Sequence, residues 1–321
     1  MHRVIVVAGE ALIDLILHPD GGLAFAPGGG PYNTARTIAR LGLPVTFLGA
    51  LSTDRFGRWL RDGLVRDGVD DTFAPATDAP TTLAVAELDT AGVATYRFYT
   101  EGTSAAAFGS SGWPALSTES VTAIHVGTLG LVLEPSASAI EAVVARVPAT
   151  ALVMLDPNCR PSATADRKAL VARIDRLLTR ADVVKVSSDD LAYLRPDLDP
   201  ADAVAELLGR GPGAILWTDG DAPVRVVTPR GRTTIPLPSV AVVDTVGAGD
   251  AFGGGFLAAW VGAGGGREGI ASDEGLLAAT RQAVRVASLT CGRAGAEPPT
   301  TAELAAWPEP RAWSGWPIEP R

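Results

Sequence analysis

The chain is poor in several residue types, and each scarcity narrows what it can be. Only two of its 321 residues are cysteine, Cys159 and Cys291, and they lie far apart. That argues against a disulfide framework and makes a reducing cytoplasm the expected compartment. There is no basic block, and the formal charge is −9. Nucleic acid and membrane are therefore not expected partners. Long apolar runs are missing too. The run after Met1-His2-Arg3 ends at Gly9-Glu10; at about five residues it falls short of the roughly 7–15 of a signal-peptide core and reads as a buried strand. No run approaches the roughly 20 residues of a membrane span. Asparagine and lysine occur twice each, as Asn33, Asn158, Lys168 and Lys185, while arginine supplies the other basic side chains. In such a chain the place of each Asn and Lys is informative about chemistry.

What is present is an apolar, globular composition. Hydrophobic residues make up 47% and charged residues 20%, which argues against disorder, and the length allows a sizeable core. Short apolar runs at 4–7, 45–49, 123–126, 152–155, 183–186 and 214–217 read as strands. They alternate with helical patterns at 32–41, 56–67, 135–146, 166–180, 200–209, 248–260 and 275–291. In the fourth of these, Leu170, Ile174, Leu177 and Leu178 fall at helical spacing. The alternation predicts an α/β fold with a mostly parallel sheet covered on both faces. Residues 11–27 and 81–100 break the rhythm and read as antiparallel strand pieces, the second joined across Ala91-Gly92. A small sheet projecting from the main layer would serve as a lid. Residues 262–266 read as a flexible loop, and the tail with Trp307, Trp313 and Trp316 as a loosely packed wrap. We expect one domain over residues 1–307 and a tail at 308–321.

One segment carries chemistry. Asp244-Thr245-Val246-Gly247-Ala248-Gly249-Asp250 runs from an apolar strand into a helix. Glycines there bare backbone N–H groups, and the helix adds its positive end, so the turn suits an anion such as a transferring phosphoryl group. Asp250, in the first helical turn, is favoured in its ionised form and is a candidate proton acceptor. A plain glycine turn with an Asp cap is the alternative. It is neither a Walker A loop, since no Gly-Lys-Ser/Thr follows, nor a dinucleotide fingerprint, since position 252 is Phe.

The run Asp244-Thr-Val-Gly-Ala-Gly-Asp250-Ala-Phe resembles the signature of the ribokinase-like (PfkB) carbohydrate kinases. Pro27-Gly-Gly-Gly-Pro-Tyr-Asn33-Thr-Ala-Arg, Arg40-Leu-Gly42 and Phe47-Leu-Gly-Ala-Leu-Ser-Thr-Asp54 resemble the family's N-terminal sugar motifs. The resemblance spans the chain to about Pro299. It implies a three-layer αβα sandwich with a small β-sheet lid, ATP and Mg²⁺ as cofactors, and phosphoryl transfer to a sugar hydroxyl. Asp250 would be the base and Gly247, Ala248 and Gly249 the anion hole. Asp14, Gly29, Gly30 and Asn33 would bind the sugar, short polar side chains meeting its paired donors and acceptors. Arg97, in Tyr96-Arg-Phe-Tyr99, would reach a sugar oxygen or carboxylate, unless it is a surface arginine. Arg160, in Asp156-Pro-Asn-Cys-Arg160, would neutralise phosphate or substrate.

At the nucleotide end the resemblance implies Asn158, Lys185, Thr218 and Gly220 as contacts, with Lys185 near the phosphates or else in a salt bridge. Ser187 and Asp190 stand where the family has Asn and Glu, and Asp190 would hold Mg²⁺ through water. Val284, on the helix bordering the adenine pocket, would make that contact apolar. Asp244 and Val246 would help to bind a monovalent cation such as K⁺, with Pro299 where some members have Ser. Homodimers through the lid occur among relatives and are an expected assembly. The motifs together look most like fructokinase; 2-keto-3-deoxygluconate kinase or another sugar or nucleoside kinase of the family is the alternative. A nucleotide-dependent oxidoreductase would need a glycine fingerprint after the first strand, which Gly9-Glu10-Ala11 lacks. A non-catalytic sugar-binding regulator would not need Asp250.

Overall fold

A computed structural model describes residues 4–89, 94–109 and 120–308. Its frame is an eight-stranded sheet ordered β14-β13-β12-β11-β10-β9-β1-β4. The parallel strands are β1 (Val4–Ala8), β4 (Val45–Leu48), β9 (Val121–Gly127), β10 (Leu152–Asp156), β11 (Val183–Ser187) and β12 (Ala214–Asp219). They are mostly apolar runs because both faces are covered. Ile5 and Val7 look into one core with α1 (Gly30–Arg40), α2 (Arg55–Asp67), α7 (Ala248–Gly262) and α8 (Asp273–Cys291). Val6 and Ala8 look into the other with α3 (Ser136–Arg146), α4 (Arg167–Leu178), α5 (Ser188–Leu194) and α6 (Pro200–Leu208). The result is the three-layer αβα arrangement expected. A short α9 (Thr301–Ala306) follows the last long helix.

Helix starts are written in the sequence. Asp166 caps α4, Asp199 caps α6 ahead of Pro200, and Ser272 caps α8, each accepting a first-turn amide. Asp54 caps α2 through the Gly57 amide, and its carboxylate also takes the amide and hydroxyl of Thr81. One residue thus ties α2 to the root of the second sheet.

That second sheet has the order β3-β2-β7-β8, from β2 (Leu12–Leu17), β3 (Leu23–Gly28), β7 (Leu83–Leu88) and β8 (Ala94–Tyr99). The β2–β3 and β7–β8 pairs are antiparallel as expected, but β2 and β7 run parallel. Periodicity shows that a strand exists and is silent on its partner's direction. The Ala91-Gly92 turn lies outside the described residues, as do Trp313 and Trp316. A two-residue ladder joins β5 (Leu51–Ser52) and β6 (Ala76–Thr77). The sequence reading also missed α5, and the large sheet ends in the antiparallel edge β13 (Ala222–Thr228) and β14 (Gly231–Ile235). No helix among the described residues is long and apolar enough to cross a membrane.

The chain moves outward from β1 to β4, then returns to place β9 on the other side of β1. Such a switch point opens a crevice at the carboxyl ends of the strands, where open α/β sheets bind ligands.

Candidate active site

Two clefts lie along that edge. The first, about 480 Å³, is lined by residues that follow β1, β9 and β10, and by the small sheet. The second, about 700 Å³, is lined from the end of β12 to α8. Thr245 and Gly249 line both, so the clefts meet at the N-terminal end of α7.

The geometry at that junction is set by Gly247. It has φ +74°, and a Cβ there would lie 2.4 Å from the Ala296 Cβ, so only glycine fits. As the N-cap it has no side chain to take an amide. The first turn of α7 therefore offers unpaired N–H groups and the positive end of a helix dipole. Ala248, expected to contribute one of these, donates instead to the Thr245 carbonyl at 3.2 Å.

Asp250 stands one residue beyond Gly249, in the first cleft. Its Oδ2 accepts from Asn33 Nδ2 at 2.9 Å, joining α7 to α1. Its Oδ1 faces Gly30, where a Cβ would sit 3.2 Å from it, 3.4 Å from Asn158 Nδ2 and 2.6 Å from Thr128 Cγ2. Gly30 is thus the floor on which Asp250, Asn158 and Thr128 converge. Gly29 lies beside it on the same wall. Asn158, expected at the nucleotide end, lines the first cleft, and its φ of +39° is one that Asn tolerates better than most residues. Both asparagines of the chain are here.

Asp14 enters from β2. Burial pushes its carboxyl up to about 7, with the Asp250 charge adding and Arg160 opposing. Arg160 lines the cleft while its guanidinium donates to the Asn158 and Cys159 carbonyls. Arg97 does not reach this space. In β8 its neighbours Tyr96 and Phe98 line the cleft, and Arg97 is exposed on the opposite face. Phe98 pairs with Ala84, which pairs with Asp14, forming one inward row across the sheet.

Sequence reasoning also passed over Glu10 and Thr128. Glu10 is buried at the end of β1, accepting from the Thr128 hydroxyl and, at 2.9 Å, from the Gly130 amide. Burial raises its pKa despite those donors. A carboxylate directly after a buried strand was the available signal.

Lys185, midway along β11, forms a buried salt bridge with Asp156, 2.8 Å from Nζ to Oδ2. The same Nζ lies beneath the junction, 3.1 Å from where a Gly249 Cβ would be. Burial opposes its charge, but Asp156 and Asp190 outweigh it and hold the ammonium protonated. Asp190 is only 3% exposed. Its Oδ2 closes a capping box with Ser187 and its Oδ1 takes the Cys159 amide at 2.6 Å. It lines neither cleft, because both oxygens are spent on the backbone turns that carry Asn158 and α5. Asp244 is engaged likewise, accepting the Val246 and Gly295 amides at 2.9 Å each, while Val246 lines the first cleft.

The second cleft is mainly apolar. Phe252, Leu237, Val240 and Val284 face Thr218 and Gly220, and Gly220 adopts φ +55° in the turn after β12. Such a slot, with a few polar groups at one end, suits a flat heteroaromatic ring.

Residues 2–303 match the pfkB family of carbohydrate kinases. The chain is 36% identical to a fructokinase of Rhizobium leguminosarum bv. trifolii over 79% of each chain. It is 34% identical to a fructokinase of Salmonella typhimurium, across 80% of this chain and 84% of that one. The structure of a Xylella fastidiosa fructokinase with bound ATP superposes with TM-score 0.88 at 30% identity, covering 95% of this chain and 98% of that one.

Proposed function

The chain belongs to the pfkB family of carbohydrate kinases, and from that membership we propose that it transfers the γ-phosphoryl group of ATP to a hydroxyl of fructose. The observation that carries the reading is the meeting of two clefts at Gly249, with Asp250 on the sugar side. The sugar would lie in the first cleft against Asp14, Asn33, Gly29 and Gly30, beneath Tyr96 and Phe98. ATP would lie in the second, its base against Val284 and its phosphates running past Thr218 and Gly220 toward α7.

Each residue has a task in that arrangement. As the sugar oxygen bonds to phosphorus and the bond to ADP breaks, Asp250 accepts the hydroxyl proton. Asn33 fixes the carboxylate so that Oδ1 is free to do so. The amides at Gly247 and Gly249, backed by Lys185, hold the charge on the phosphoryl oxygens. Mg²⁺ would supply positive charge against the phosphates, with Asp156 as the carboxylate to hold it. The donor set fits it. Asp156 Oδ1 is buried without a partner and Asp190 lies close enough to bias it, and a hydrated Mg²⁺ held mostly by phosphates needs one or two carboxylates. Asp244 would shape the paired loops whose carbonyls, with that of Val246, take a monovalent cation. The small sheet would act as the lid, within one domain of residues 1–307. Its outer face exposes Leu23, Phe25 and Tyr99, which supports a homodimer through the lid.

Charge favours fructose over 2-keto-3-deoxygluconate. Among the described residues, Glu10, Asp14 and Asp250 line the first cleft against the single cation Arg160, and a buried substrate carboxylate needs cations to offset its desolvation. The relatives named fructokinase support the same sugar. Coupled ADP release over fructose, ribose and 2-keto-3-deoxygluconate tests it. We expect the highest kcat/KM with fructose. A preference of tenfold or more for the keto acid, about 1.4 kcal/mol of transition-state binding, would replace the sugar and leave the kinase chemistry standing.

A further inference from the structure

Arg36 lies outside both clefts and is 2% exposed. Its guanidinium reaches three places at once. Nε donates to Asp67 at the end of α2 at 2.6 Å, Nη1 to the Ala296 carbonyl at 3.2 Å, and Nη2 to Glu297 at 3.0 Å. Arg40, one turn on, pairs with the same two carboxylates at 3.2 and 3.5 Å. A buried ion pair is a poor source of stability, because desolvation offsets the attraction. What an arginine fork supplies that a packed hydrophobe does not is fixed geometry.

The thing it fixes is the wall of the anion-holding turn. Ala296 is the residue against which Gly247 is packed. The same loop is held from its other side by Asp244, which takes the Gly295 amide. The segment 295–297 is therefore gripped twice, by Asp244 from the turn itself and by Arg36 from α1. One turn before Arg36, the same helix presents Asn33 to Asp250. A single rigid element thus sets the carboxylate and, through the loop, the amides beside it.

We propose that Arg36 is a positioning residue for phosphoryl transfer: by holding Ala296 it keeps the turn at Gly247–Gly249 in register with Asp250. This rests on the kinase reading above. Loosening the loop leaves the sugar's own contacts in place, so the loss falls on the transition state and not on sugar binding.

The test compares Arg36→Lys with Arg40→Lys in the full chain, following ADP release at saturating ATP with fructose varied, alongside thermal melts. Lysine keeps the charge beside Asp67 but cannot grip Ala296 and Glu297 together. Arg36→Lys should lower kcat about 10–10²-fold, the scale of a small displacement at the reacting centre, with fructose KM nearly unchanged. Arg40→Lys, which shares the carboxylates but touches no part of the 295–297 backbone, should leave both constants near wild type at a similar melting temperature. Equal kcat in the two variants would overturn the proposal. Should Arg36→Lys not fold, Glu297→Gln decides, since Glu297 is half-exposed and only part of the grip: a several-fold fall in kcat supports the proposal and an unchanged kcat refutes it. Wild-type protein without sugar-dependent ADP release would bring down the kinase reading itself, a result distinct from either.

Discussion

Asp250 and Asn33 meet across 217 positions of sequence, and the contact makes chemical sense only if one carboxylate oxygen is held and the other left free. Asp250→Asn keeps that shape and removes the basicity. Turnover should fall by roughly 10²–10⁴ while sugar and ATP still bind, as measured by steady-state kinetics and calorimetry on the same preparation. Near-normal turnover in a folded variant would rule Asp250 out as the base. Asp14 makes a separate claim on pH. Its carboxyl sits at about 7, mainly through burial. Sugar hydroxyls donating to it favour the ionised form, so fructose affinity should rise as pH climbs through about 7 and then level off. Stability of the free protein runs the other way. The folded state holds the proton more tightly than the unfolded chain, so this contribution is complete below the unfolded value of 3.8 and is lost as pH rises through about 7. Asp14→Asn should flatten both profiles. Titrations that show wild-type affinity independent of pH would remove Asp14 from the sugar site.

Strand β8 shows how an element decides which residues of a motif matter. Tyr96-Arg97-Phe98-Tyr99 alternates, so its inward pair is aromatic and its arginine faces out. Phe98→Ala should raise fructose KM several-fold with little change in kcat, whereas Arg97→Ala should change neither; the reverse pattern would mean that the strand is flipped in solution. The alternation was legible in the sequence, but choosing its inward face needed the register with Ala84 and Asp14. Ser187-Ser-Asp-Asp190 teaches the same lesson. Its spacing is that of a capping box as much as of a metal motif, and only burial of both carboxylate oxygens separates the two. The glycine turn before α7 was legible because its chemistry is local: glycines, a helix start and an acid in the first turn. Asn33 was legible through rarity. Arg36 was not, since its partners lie at 67, 296 and 297, and no local pattern encodes a fork that closes over such separations.

At the scale of the molecule, the first cleft has walls from two bodies. Asp14, Tyr96 and Phe98 come from the small sheet, and Glu10, Asn33 and Asp250 from the large sheet's edge and helices. A sugar that touches both walls couples them, and hydrogen exchange can read that coupling. Saturating ligand slows all exchange that proceeds through global unfolding: at 100 times Kd the stabilisation is about 2.7 kcal/mol, close to a hundredfold. A lid adds something local. Strands β2 and β8 border the cleft, and Tyr96 and Tyr99 of β8 are 43% and 54% exposed, so their amides should exchange through small openings well below the global limit. If the small sheet closes over sugar, those openings become rare, and protection should grow in β2, β3, β7 and β8. The comparison strand is β14, at the far edge of the large sheet and outside both clefts; its local openings do not involve the sugar, so its fast-exchanging amides should not respond. Protection that rises in α7 but not in β2 and β8 would make the small sheet a fixed wall. The water-excluding step, which keeps ATP from being hydrolysed, would then have to come from the loops at Arg160 and Val246 instead.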